Sequence, residues 1–139
     1  MAVFQESLRI ATRGHTDILD ITEQVDRVIA KSAVRTGIVN VSGVGSTLAI
    51  TTIEFEPGAV SDLQRALDKI APVNDDYAHN ARWGDHNGYA HLRSALMGTS
   101  ASYPVSEGRL RLGTWQQVIV CDFDDRPRSR EIVVTVIGD

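Results

Sequence analysis

Residues 75–98, DDYAHNARWGDHNGYAHLRSALMG, hold three of the chain's four histidines and three of its aspartates. Imidazoles and carboxylates in one short stretch can bind a borderline divalent metal or move protons near neutral pH. His91 falls near the start of a helical pattern, whereas His79 and Asp85 come from the loop before it. Two histidines and a carboxylate from different elements leave a coordination position open, which suits a catalytic or substrate-binding ion better than a structural one. The spacing of His79 and His91 matches no standard zinc signature, and hydrogen-bonded surface histidines are the plain alternative. His86, in a glycine-flanked turn, and His15, in TRGHTD, read as solvated.

Other residues have possible chemistry beside an ordinary structural use. Glu54, in ITTIEFE, belongs either at an exposed strand end or in a deliberate pairing, because an unpartnered buried carboxylate is strongly penalised. Trp83 and Trp115 read as half-buried core rings, with stacking on a ligand the less common use. In DDRPRSR, Arg126, Arg128 and Arg130 stand beside Asp122, Asp124 and Asp125, a mixture typical of a solvated turn tip. Arginine forks nevertheless suit phosphate, and Arg93 comes from the same region as His91. Gly43, Gly45, Ser46 and Thr47 could offer amides and hydroxyls to an anion, although the GK[ST] ending of a P-loop is absent. Cys121 is the only cysteine, which excludes an intrachain disulfide and fits a reducing compartment. Its apolar setting, VIVCDF, makes it a small core hydrophobe.

Positioning these groups requires a framework, and the pattern supplies one. Residues 3–11 form a first strand. A helix begins near Asp20 as N-cap, with Glu23 completing a capping box and Gly37 as the stop; Ile21, Val25, Val28 and Ile29 share one face. GIVNVSGV and TLAITTIEF follow as strands. Pro57 and Gly58 end the second, and Val60, Leu63, Leu67 and Ile70 give a second amphipathic helix that Pro72 stops. Asn87 caps a third, short helix through Leu96, ended by Gly98. SASYPV, GRLRLGTW, QQVIVCDF and EIVVTVIG complete the chain as strands, the last two apolar on both faces and so covered on both sides. Three helices cover only part of such a sheet, leaving a face for another sheet layer or subunit.

With 139 residues and no repeat or linker, the chain reads as a single domain over 1–139. A formal charge of −4 argues against general nucleic-acid binding. No apolar run is long enough for a membrane helix and the N-terminus lacks a signal-peptide pattern, so a cytoplasmic protein is expected.

GSTLAITTIEFEPG, DDYAHNARWGDHNGYAHLRSALMG and GRLRLGTWQQVIVCDFDDRPRSREIVV together resemble the YjbQ-like family, described as secondary thiamine-phosphate synthases. The resemblance covers nearly the whole chain. It implies an α+β fold with a layered, mainly antiparallel sheet and about three helices, a homotrimer with sites near subunit boundaries, and a metal-associated histidine pocket. The family's YxH, GDxN and AH elements fall on His79, Asp85, Asn87 and His91, and its strand-end glutamate on Glu54. An HT[TS] element found in many members is here Gly45, Ser46 and Thr47, so one family histidine is replaced.

On that resemblance the chain is a transferase joining hydroxymethylpyrimidine diphosphate to a thiazole phosphate with release of pyrophosphate. His79, Asp85 and His91 hold a divalent metal such as zinc or magnesium, and Glu54, Asp85 and His91 carry catalysis. Ser46, Thr47, Trp83, Asn87, Arg93 and Arg128 bind the small phosphorylated substrate. The competing expectations are a metal-dependent hydrolase of a small molecule and a ligand-binding trimer without catalysis.

Overall fold

The computed structural model describes residues 1–139. The long strand β1 (Ala2–Thr12) is followed by the short β2 (Asp17–Asp20), α1 (Thr22–Ser32), β3 (Thr36–Gly43), β4 (Leu48–Ile53) and α2 (Pro57–Ile70). Then come α3 (Ala78–Trp83), α4 (Gly88–Met97), β5 (Ser100–Ser106), the two-residue β6 (Arg109–Leu110), β7 (Gln117–Asp122) and β8 (Arg128–Gly138). All strand pairs are antiparallel, in a five-stranded sheet ordered β1-β8-β3-β5-β6 and a three-stranded sheet ordered β2-β7-β4. The α+β class with a layered antiparallel sheet is therefore the observed one.

Two apolar clusters define the layers. Val39, Val41, Val134 and Val136 of the larger sheet meet Leu48, Ile50, Val118 and Val120 of the smaller one, with Val25, Val28 and Ile29 of α1 closing the side. On the opposite face of the small sheet, Ala49, Ile119 and Cys121 pack with Phe123 against Leu67, Tyr89 and Ala90 of the helices. β7 is thus covered on both faces, as its doubly apolar pattern requires. β8 departs from the expectation. Ile132, Val134 and Val136 are buried, but Ile137 on the other face is 43 % exposed because no layer covers the outer side of the large sheet.

Several boundaries move for local reasons. Ile21 occupies the N-cap of α1, while the Asp20 carboxylate accepts hydrogen bonds from the Thr22 amide and hydroxyl at 2.9 and 2.6 Å. The capping box therefore does not form, and Ala33 in the left-handed region ends the helix before Gly37. Proline at the first position suits the start of α2, where Glu56 caps the amides of Gly58 and Ala59. β2 and α3 were not anticipated, being only four and six residues long. GRLRLGTW contributes only the two residues of β6. Trp83 and Trp115 are 67 % and 71 % exposed and belong to neither core, contrary to the half-buried reading. No helix is long and apolar enough to cross a membrane.

Candidate functional site

His79 stands in the first turn of α3, rather than in a loop, and His91 in the first turn of α4. Asp85 lies in the short connection between those helices, so the local fold brings all three together. Gly84, left-handed at φ 68°, ends α3, and the Asn80 carboxamide accepts the Gly88 amide at 2.8 Å to fix where α4 begins. The imidazoles stack with centroids 4.4 Å apart and planes inclined by 33°.

His79 Nδ1 is 3.0 Å from Asp85 Oδ1, but the two are not aligned for a hydrogen bond and both atoms are buried without a partner. Burial lowers the His91 pKa below its ordinary 6.5, and neighbouring His79 lowers it further, while Asp124 and Asp85 oppose the shift. His91 is therefore neutral at physiological pH.

Beneath the pair lies a buried ionic network. The Arg130 guanidinium donates from Nε at 2.7 Å and from Nη2 at 2.8 Å to the two carboxylate oxygens of Asp122. Nη2 also donates to the Thr47 hydroxyl at 2.7 Å, and that hydroxyl donates to Asp124 at 3.2 Å. Thr12 donates to Asp122, and Arg128 donates to Asp124. Asn87 joins the network to the histidine segment, its Nδ2 donating to Asp124 at 3.2 Å. Burial pushes the Asp124 carboxyl up, but the Asp125 amide and the Asn87 and Thr47 side chains outweigh it and hold the pKa at about 2. Burial likewise raises the Asp122 carboxyl, and hydrogen bonds from Arg130 and Thr12 bring it below the usual range. The DDRPRSR segment is consequently not a solvated tip: Asp122, Asp124 and Arg130 are each at most 2 % exposed.

His91 and the exposed Ser46 line the same cavity of about 340 Å³, together with Gly45, Ser94 and Thr99. Thr47, Asn87 and Arg128 approach this region through Asp124. Arg93 does not. It is fully buried, donating to the Ala71 carbonyl at 3.0 Å, the Thr16 hydroxyl at 2.8 Å and Asp68 at 3.0 Å, and it lies over Tyr89. With its guanidinium so committed, it serves packing rather than phosphate. Trp83 points to solvent beside Arg82, and Glu54 is exposed past the end of β4 with no side-chain hydrogen bond. Ser94 anchors α4 to the start of β4 by donating to the Leu48 carbonyl at 2.6 Å. Six residues of strand rise place Glu54 about 20 Å from that anchor.

Asp122, Asp124 and Arg130, read from the sequence as part of a mixed-charge turn with arginine forks suited to phosphate, are instead a buried network. Their signal was the alternation of β7 running into DFDD: Asp122 shares the Val118–Val120 face of the core. Cys121 is buried as expected, and burial pushes its thiol up to about 12.

No group of three histidine, cysteine or acidic side chains is gathered here in ligating geometry, and the His79 and His91 rings lie tilted at 33° with centroids 4.4 Å apart.

Comparison with known proteins follows the fold closely. Residues 6–139 match the model of the family described as UPF0047 protein YjbQ-like. A UPF0047 protein of Methanothermobacter thermautotrophicus is 39 % identical over 99 % of this chain and 94 % of its own length. The UPF0047 protein YugU of Bacillus subtilis is 29 % identical over 96 % of this chain and 98 % of its own. A crystal structure from Sulfolobus solfataricus, described as a YbjQ-like protein of unknown function, superposes with a TM-score of 0.94 at 30 % identity, covering 99 % of both chains.

These findings correct the expected activity. The family and its relatives carry a UPF0047 description that assigns no reaction, and the Sulfolobus protein is one of unknown function. The residues offered for pyrophosphate departure also do not assemble, since Arg93 is committed to packing and His79, Asp85 and His91 do not make a three-ligand group. Thiamine-phosphate synthesis, the transferase label and the metal-dependent alternative are therefore not retained.

Proposed function

We propose that this chain, which belongs to the YjbQ-like UPF0047 family, is a small-molecule enzyme of the general acid–base type, with His91 as the proton carrier. The observation that carries this reading is the His79–His91 pair: stacked, half-buried and set between the Asp85 and Asp124 carboxylates. A neutral imidazole at the edge of a cavity can accept a proton from a substrate hydroxyl or a water molecule. Asp85 and Asp124 then favour the imidazolium, which returns its proton to a leaving group or product. Asp124 is not itself the base, because a carboxyl held at about 2 has little proton affinity near neutral pH. Its role is to fix Asn87 and Arg128 and to supply a constant negative charge.

The outer face of the large sheet supports assembly with further copies of the chain. Val3, Ile137 and Ile38 lie in register on β1, β8 and β3, at 70 %, 43 % and 56 % exposure. Pro104 extends the row on β5. A row of this kind suits a homotrimer that covers it.

Turnover of a panel of small hydroxyl- and phosphate-bearing compounds, run in the presence of a chelator, tests the acid–base reading. Activity that survives chelation, and is lost in His91→Gln with the fold intact, is expected. Activity that needs added metal, or that persists in His91→Gln, would refute it.

A further inference from the structure

We propose that a second cavity, walled by the turn at residues 14–16 and by α2, binds a small primary ammonium ion. It shares no lining residue with the His91 cavity and does not depend on the acid–base reading.

The cavity measures about 300 Å³ and is lined by His15, Thr16, Gln64, Asp68, Val73 and Tyr89. The turn that forms one wall is strained. Gly14, His15 and Thr16 lie consecutively in the left-handed region, at φ 75°, 54° and 63°, where a β-branched threonine is a genuine outlier. Gly14 is required there, because a Cβ would collide with the Arg126 carbonyl. The conformation is held by the His15 amide donating to the Asp124 carbonyl at 2.7 Å, Gln64 Nε2 to the Thr16 carbonyl at 3.2 Å and Arg93 Nη1 to the Thr16 hydroxyl at 2.8 Å. None of these bonds uses the His15 imidazole, which is left exposed beside the cavity. Strain that the surroundings enforce in this way gathers at ligand sites.

Tyr89 points to a ligand independently. The residue is 2 % exposed and packs with Leu67 and Phe123, yet its hydroxyl has no hydrogen-bond partner in the chain and is not among the sealed polar atoms. It therefore opens onto the cavity that Tyr89 lines. Burial and then the Asp125 carboxylate push the phenol above its ordinary 10, so it stays neutral.

The other polar atoms of the wall are mostly acceptors. Asp68 uses Oδ1 for Arg93 and keeps Oδ2, while Gln64 uses its amide nitrogen for Thr16 and keeps Oε1. A neutral imidazole and a phenol each add an acceptor. The nearby cation, Arg93, is spent on Ala71, Thr16 and Asp68, and Asp125 forms no ion pair to offset its charge. An anion would meet lone pairs here, whereas a primary ammonium brings three N–H donors and a positive charge. Val73, 49 % exposed at the wall, suits a short alkyl chain on that nitrogen.

Titration calorimetry with n-butylammonium chloride tests the site, with tetramethylammonium chloride as a cation that has no N–H donor. Saturable binding of n-butylammonium is expected, with tetramethylammonium about tenfold weaker. Tyr89→Phe, which keeps the ring in the core, and Asp68→Asn should each weaken n-butylammonium about tenfold. Gln64→Met, on the helix surface, should weaken it as well, and thermal melting verifies that each variant is folded. His91→Gln should leave the affinity unchanged. No saturable binding, tetramethylammonium binding as tightly, unchanged affinity in the folded variants of the wall, or loss of binding in His91→Gln would overturn the proposal.

Discussion

His79 and His91, on consecutive short helices, stack at 4.4 Å with 33° between their planes, and Asp85 touches only the first of them. The pair is held from two sides: Gly84 and Asn80 set the connection between α3 and α4, while Asn87 ties the start of α4 to Asp124. Its consequence for chemistry is a neutral His91 whose protonated form the Asp85 and Asp124 carboxylates stabilise.

The pH dependence follows from the direction of that shift. Since the folded His91 pKa lies below the ordinary 6.5, the unfolded chain binds the extra proton first as pH falls. This contribution to stability is complete above 6.5 and is lost as pH falls from there through the lowered value. Chemical denaturation at a series of pH values should show this decline in wild type and not in His91→Gln. Any turnover should lose its acid limb at the same lowered value, because protonated His91 is no base.

Asp124 works in the other part of the scale. Its folded carboxyl at about 2 lies below the ordinary 3.8, so its contribution is present above 3.8 and disappears as pH falls through about 2. Asp124→Ala leaves Arg128 unmatched and breaks a buried network, which should cost about 3–5 kcal/mol at neutral pH. Urea unfolding measures it, and a loss well under 1 kcal/mol would contradict the network's structural role.

Arg93→Ala should cost about 3 kcal/mol or more, by emptying a fully buried site and stranding the Ala71 carbonyl and Thr16 hydroxyl. Urea unfolding measures the loss, and a cost well under about 1 kcal/mol would contradict its packing role.

Glu54→Gln and Trp83→Ala should each alter stability by less than about 0.5 kcal/mol and leave turnover within about twofold, since both side chains are exposed and outside the cavity. A tenfold fall in turnover for Glu54→Gln would mean that this strand end reaches a site, as it could across a subunit boundary.

Ile38→Lys places a charge in the middle of the exposed apolar row on the large sheet. Light scattering should report trimeric wild type and a smaller species for the variant, with both folded. Monomeric wild type would remove the assembly from the proposal.

Much of the framework was legible because burial repeats with the period of each element. The face of α1 read from Val25, Val28 and Ile29 is the buried one, and the doubly apolar run of β7 marks the strand covered on both sides. α3 was not legible: six residues with no buried side chain carry no periodic signal, and what holds it is the specific geometry around Gly84 and Asn80. The convergence of His79, Asp85 and His91 could be read from local spacing, but their stacking could not, because ring orientation depends on the angle between two short helices. Asp122, Asp124 and Arg130 looked like a charged turn. Their burial depends on β8 returning beside β3 and on the 44–47 turn closing over them, which are long-range events. Arg93 was misread for the same reason, as its partners lie on two distant segments, Asp68 and Ala71 at the end of α2 and Thr16 before β2.

The most direct measurement is a histidine-selective NMR titration of wild-type protein with chelator present, assigned with His91→Gln and His79→Gln. His91 is expected to titrate below 6.5 and to move toward its ordinary value when His79 is replaced. A His91 that titrates at or above 6.5, or one whose signals are set by a stoichiometric bound metal, would contradict its role as a metal-free proton carrier.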